Sequence, residues 1–260
     1  SDHSALPMTP AELAATAKAC RDAGAAMIHL HVREDDGRHS LDPDRYRAAI
    51  AAIRTELGDD IVIQATTEGV GIYGPAEQMQ CIRDLQPEAA SFGLREFIPD
   101  DTDGQAVETY REFLAWAQGA GIMVQHILYD VSDVDRFRRL SVQGVFGDAP
   151  WSVLYVLGRY SEGQQSDPSE IQPFLDAADG LDVKWTVCAF GAQEAACAAR
   201  AIELGGHARV GFENNMLLAD GSQAPDNAAL VTQAAAAARN AGRGLADADN
   251  ARHIMSRGTA

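Results

Sequence analysis

The chain has 260 residues, 46% of them hydrophobic, and a formal charge of -17 at pH 7. That length and apolar content suffice for a sizeable core, while so negative a surface repels phosphate polyanions and excludes a general nucleic-acid or anionic-membrane binder. No apolar run reaches the roughly 18 residues of a membrane helix, and Ser1 to Pro10 lacks the pattern of a secretory leader. The four cysteines (Cys20, Cys81, Cys188 and Cys197) stand in apolar segments without a C-x-x-C pair, so reduced thiols in a cytoplasm are expected.

In chain order, Thr9-Pro10 with Glu12 three residues after the cap announces a helix to Ala23, which Gly24 stops. A strand from Ala25 to Val32 follows, then a turn at Asp35-Asp36-Gly37 and a helix from Asp42-Pro43 to about Leu57. Further strands are expected at Ile61 to Thr67, Ala89 to Leu94, Ile122 to Tyr129, Trp151 to Leu157, Val183 to Phe190 and Ala208 to Glu213. Helices are expected at Pro75 to Leu85, Val107 to Gln118, Ser132 to Gln143, Pro168 to Ala178, Ala192 to Leu204 and Asp226 to Gly242. Repeated βα units imply parallel strands covered by helices. With seven strands and a leading helix, the pattern is that of a single (β/α)₈ TIM barrel over residues 1–260 whose first strand is missing from the sequence. An open doubly wound sheet is the alternative, disfavoured because no G-x-G-x-x-G links a strand to a helix.

Alternation assigns the faces of the strands. In "AMIHLHVRE", Ala26, Ile28, Leu30 and Val32 share one side, and Met27, His29, His31 and Arg33 the other. Two inward histidines near the carboxyl end of a barrel strand can reach one ion, or can instead hydrogen-bond within the interior without a metal. The last strand, "ARVGFENN", turns Arg209, Gly211 and Glu213 inward, and a closing barrel brings Glu213 beside the imidazoles. Two histidines and a carboxylate form a common catalytic zinc arrangement, and a buried Arg209 needs a carboxylate or an anion. Gln64, Thr66, Ser91, Lys184, Thr186 and Cys188 are also expected to face inward. Glu68, His39, His207 and the carboxylates of "DDTDG" are expected to be loop or surface charges, and His126 an interior histidine.

These motifs resemble the β-keto acid cleavage enzymes, and the resemblance covers nearly the whole chain. It is carried by "ALPMTPAELAATAKACRDAGAAMIHLHVRE", "DGRHSLDPDRY", "IVIQATTEG", "PEAASFGL", "GGHARVGFENN" and "PDNAALV". The resemblance implies a (β/α)₈ barrel, Zn²⁺ on His29, His31 and Glu213, and a reaction of a 3-keto acid with acetyl-CoA to give acetoacetate and an acyl-CoA. It also implies homo-oligomers, tetramers among them. Arg209 matches an arginine thought to help as base, with support from an aspartate; here Asn214 stands in the aspartate's place and cannot take a proton. Thr66, Thr67 and Ser91 match the region of the family's substrate-binding hydroxyls. Two other readings are an amidohydrolase-type metal-dependent hydrolase, which would need further histidines on middle strands, and a zinc-containing ligand-binding barrel without catalysis.

Overall fold

The computed structural model describes residues 3–256. Seven parallel strands form one curled sheet in the order β1 (Met27–Leu30), β4 (Val62–Ala65), β5 (Ala89–Gly93), β6 (Met123–Leu128), β7 (Trp151–Leu157), β8 (Val183–Ala189) and β9 (His207–Ala208). A small antiparallel hairpin of β2 (Val32–Arg33) and β3 (His39–Ser40) follows β1. Among the described residues β1 and β9 share no neighbouring strand, so the barrel stays open between them, where an eighth strand would close it.

Helices cover the outside. They are α1 (Pro10–Ala23), α2 (Pro43–Leu57), α3 (Pro75–Leu85), α4 (Leu94–Phe97), α5 (Gly104–Gly119), α6 (Val131–Val142), α7 (Ile171–Ala177), α8 (Glu194–Glu203), α9 (Asn227–Asn240) and α10 (Ala248–Met255). The three helices with proline at their start lie within the bounds expected from sequence, because each start is fixed locally. Thr9 Oγ1 accepts the Glu12 N–H while Glu12 takes the Thr9 N–H at 2.9 Å, and Glu77 takes the Gly74 N–H at 2.8 Å ahead of Pro75. α9 packs on both α1 and α8, behind the opening between β1 and β9.

Besides the hairpin strand β3, two α-helices escaped the sequence reading. α4 continues directly from β5, and α10 closes the amino-terminal end of the barrel, where Ala248 and Ala251 pack on Val62 and Ala89 with Met27 and Met123. Above this floor the interior is polar, and above that Ile127, Leu154, Val156, Cys188 and Phe190 form an apolar layer. On the outer face a larger core joins the strands to the helices, with Tyr46, Tyr110, Phe92, Phe113 and Phe137 all buried.

The last strand departs most from expectation. It ends at Ala208 rather than Glu213, and residues 211–214 form a turn. Among the described residues β9 has only β8 as partner, and the ladder ends with the Arg209 N–H bonded to the Val187 carbonyl at 2.8 Å. Gly206 allows this strand to come close: a Cβ there would meet the Trp185 ring at 2.2 Å.

Candidate active site

The hairpin and the strand ends build the site at the carboxyl end of the barrel. His29, in β1, and His31, between β1 and β2, point inward as alternation predicts, with ring centroids 4.9 Å apart. His29 Nδ1 donates to Gln64 Oε1 at 2.8 Å, which leaves Nε2 turned to the cavity. Glu213 arrives by the turn rather than by strand alternation, yet it reaches the same place. Its Oε2 lies 3.3 Å from His31 Nε2 and 3.8 Å from His29 Nε2. Its Oε1 lies 3.1 Å from Arg209 Nη2.

These residues fit a metal. One donor atom from each of His29, His31 and Glu213 lies within 4.8 Å of the others. Tetrahedral zinc, with ligands about 2.0–2.2 Å away, separates its donors by roughly 3.3–3.6 Å. Beyond the Glu213 oxygen 3.3 Å away, His31 Nε2 is buried with no well-formed hydrogen bond among the described residues, a cost that coordination would remove. The Gln64 bond supplies the orienting contact that ligating histidines ordinarily have.

The electrostatics agree. Burial, aided by Arg209, holds His29 well below the usual imidazole range, so the ring is neutral and able to ligate. Burial pushes Glu213 up, but Arg209 and then His31 outweigh it and keep the carboxyl well below its usual value. Burial disfavours the Arg209 cation too, yet Cys188 and Glu213 more than offset this, and its pKa is raised. Arg209 is therefore a fixed cation.

The polar interior continues across the barrel. Gln64 Nε2 donates to Gln125 Oε1 at 3.4 Å, and Gln125 Nε2 reaches Ser152 Oγ at 3.3 Å and Thr186 Oγ1 at 3.5 Å. Gln125 and Ser152 were missed in the sequence, although alternation in "MVQHIL" and "WSVLYVL" would have turned both inward. A cavity of about 670 Å³ opens beside them, bordered by His29, His31, Lys184, Arg209 and Asn214 and continuing between the free edges of β1 and β9.

The three hydroxyls separate. Thr66 borders a smaller recess beside His29 and Glu213 and accepts the Glu68 N–H at 3.1 Å. Thr67 Oγ1 instead donates to the Ser91 carbonyl at 2.7 Å, while its own carbonyl takes Gln78 Nε2. Ser91 is fully buried, and neither Thr67 nor Ser91 borders the two cavities.

Three charged groups need correction. Glu68 borders both cavities and lies 3.5 Å from Arg159 Nη2, so it is not merely a loop charge. His39 is half-buried in β3, its Nε2 bonded to the Glu68 carbonyl at 2.8 Å and its ring 5.5 Å from His31. His207 lies within β9, and burial lowers its pKa. The hairpin and the shifted strand end explain both histidines, since each brings under cover a residue that local sequence leaves in a loop. His126 is an interior histidine as expected, packed with tilted rings against Phe137 and Phe146 on the helix-facing side.

A parallel βα barrel that gathers two imidazoles, a carboxylate and a guanidinium at the carboxyl ends of its strands has the architecture of a barrel enzyme. The chain belongs to the β-keto acid cleavage enzyme family, whose model matches residues 1–256. Among its relatives is the 3-keto-5-aminohexanoate cleavage enzyme of Fusobacterium nucleatum, 35% identical over 97% of this chain and 91% of that protein. The enzyme of the same name from Acetoanaerobium sticklandii is 32% identical over 96% and 90%. The 3-oxoadipate:acetyl-CoA acetyltransferase of Cupriavidus necator is 29% identical over 98% and 89%. The solved ternary complex of ObcA with a C4-CoA adduct and oxalate shares the fold, with a TM-score of 0.71 over 96% of this chain and 67% of that one at 15% identity. This family places the chain among enzymes that cleave carbon–carbon bonds with acyl transfer.

Proposed function

We propose that the protein binds Zn²⁺ through His29, His31 and Glu213 and converts a 3-keto acid and acetyl-CoA into acetoacetate and the CoA ester of the shortened acid. The observation that carries this reading is the convergence of the three donors on one point, with His31 Nε2 lacking any other partner. A bound zinc ion would supply Lewis-acid polarisation of the substrate's keto and carboxylate oxygens, which eases removal of the proton between them.

The chain's own groups divide the remaining work. Arg209, held charged, faces the developing enolate as a fixed cation rather than as a base. Glu96 is engaged by the Gly69 N–H at 2.9 Å and by Gln78, so the wall carboxylate that accepts the substrate proton is Glu68, whose Oε1 is paired only loosely with Arg159 Nη2 at 3.5 Å. Thr66 lines the recess beside the donors and would contact the substrate; Asn214 would offer its Oδ1 rather than exchange a proton. The enolate carbon then attacks the acetyl-CoA thioester, CoA passes to the other carbonyl, and a retro-Claisen step releases the products. Four buried free cysteines suit a reducing cytoplasm, and the reading includes a homo-oligomer.

The test combines metal analysis with turnover. About one zinc per chain is expected, along with acetoacetate from acetyl-CoA and at least one member of a 3-keto acid panel. Chelated protein should lose turnover, and Glu68→Gln should abolish exchange of substrate α-protons with deuterated water. Purified protein that neither retains nor takes up zinc would refute the proposal.

A further inference from the structure

The turn that carries Glu213 and Asn214 is not held by the sheet. Past the Arg209 N–H bond to Val187, no strand lies beside it among the described residues. The first residues of two helices hold it instead. Glu194, which opens α8, accepts the Gly211 N–H on Oε1 at 3.0 Å and the Asn215 side-chain amide on Oε2 at 3.2 Å. The two oxygens of one carboxylate thus bridge both ends of the turn. The Asn214 side chain lies near this carboxylate and favours its ionised form.

Neighbouring contacts reinforce the grip. Asn227, which opens α9, accepts the Phe212 N–H on Oδ1 at 2.8 Å. The Gly191 N–H, just ahead of α8, donates to the Asn214 carbonyl at 3.1 Å. A Cβ at position 211 would lie 3.1 Å from Asn227 Oδ1, so the turn sits tightly against α9. Glu194 is only 2% exposed, and burying a carboxylate is costly unless hydrogen bonds offset it. The hydrogen bonds that this carboxylate accepts come from the turn.

We infer that Glu194 is the positioning residue of the donor set, holding residues 211–215 so that Glu213 and Asn214 meet the cavity where His29 and His31 face it. The inference deepens the zinc reading and rests on it for its consequence, whereas the anchoring of the turn does not depend on metal.

The experiment compares the full chain with Glu194→Ala and Glu194→Gln in two ways: amide hydrogen exchange, and titration with Zn²⁺ against a chromophoric chelator. Loss of the bridge should speed exchange at residues 211–215 by about tenfold or more while leaving β7 and α2 unchanged. Zinc affinity should fall about 10–100-fold in the alanine variant, as for other outer contacts of metal ligands. The glutamine variant, which keeps the volume and one acceptor, should fall in between, and its Co²⁺-substituted visible spectrum should shift with the altered Glu213 geometry. If the alanine variant does not fold, the glutamine variant decides by the same readouts. Unchanged exchange, or faster exchange with unchanged zinc affinity and Co²⁺ spectrum, would overturn the inference. A wild-type chain that binds no zinc would refute the metal reading and, with it, the role given to Glu194, even if the exchange result showed the anchor to be real.

Discussion

His29 Nδ1 lies 2.8 Å from Gln64 Oε1, and this one bond decides which ring nitrogen faces Glu213. Gln64 is itself held by Gln125, which reaches Ser152 and Thr186 on the far wall, so the imidazole is braced across the whole barrel. Gln64→Leu keeps the volume and removes the acceptor. The ring is then free to rotate or change tautomer, and zinc affinity should drop about 10–100-fold. A chelator competition assay measures this directly, and an unchanged affinity would show that packing alone orients His29.

Burial raises the Glu194 carboxyl to about 7, against the opposing hydrogen bonds of Gly211, Asn215 and Asn214. In the unfolded chain the same group titrates near 4.3. Between these values the native state holds the extra proton, so this group's contribution makes stability fall as pH rises through the window and level off above it. The full effect is about 3–4 kcal/mol. His29, which burial keeps neutral, works in the opposite sense below its ordinary value, but it is common to wild type and Glu194→Gln and cancels between them. Urea unfolding at pH 5 and pH 8 should show the glutamine variant gaining on wild type by about 2–3 kcal/mol at the higher pH; parallel curves would contradict the assignment.

Much of this site was legible because β1 obeys a two-residue period, so His29 and His31 could be placed inward from "AMIHLHVRE" alone. Pro10, Pro43 and Pro75 marked their helices for an equally local reason. The extension of the last strand to Glu213 failed because alternation holds only while a strand has partners, and β9 has one among the described residues. Glu213 still meets the histidines because Glu194 and Asn227 fold the turn back, and no local pattern signals that two helix starts will converge there. Thr67 and Ser91 show the same limit: Thr67 lies past the end of β4, and its hydroxyl is taken by the Ser91 carbonyl.

Glu88 ties the barrel floor to its plug. One oxygen receives Arg252 Nε of α10 at 2.7 Å, and the other meets Arg54 and the Ile63 N–H. Arg252 also reaches the Asp59 carbonyl at 2.9 Å. Glu88→Ala leaves two guanidinium groups without their shared carboxylate and should cost about 1–3 kcal/mol. At this chain length that is a fall in Tm of roughly 2–10 °C. Thermal unfolding measures it, and a Tm within about 1 °C of wild type (about 0.3 kcal/mol) would mean that the apolar contacts of Ala248 and Ala251 hold α10 unaided.

The Asn214 amide lies near enough to the Glu194 carboxyl to favour its ionised form, and this changes what Asn214→Asp should do. The substitution places a second carboxylate against a buried one, and two such groups cannot both ionise at close range. Asn214→Asp alone should therefore give no gain in kcat, and Glu194→Gln alone should lower kcat by loosening the turn. Joined, they exchange acid and amide across the same contact: the new amide at position 194 donates where Glu194 accepted, and the new carboxylate at position 214 is ionised and able to support Arg209. The double variant should exceed the product of the single effects by about tenfold in kcat, a coupling of about 1.4 kcal/mol, with KM little changed. Additive effects in this cycle would show that the two side chains act separately and that the carboxylate missing at position 214 has no substitute in Glu194.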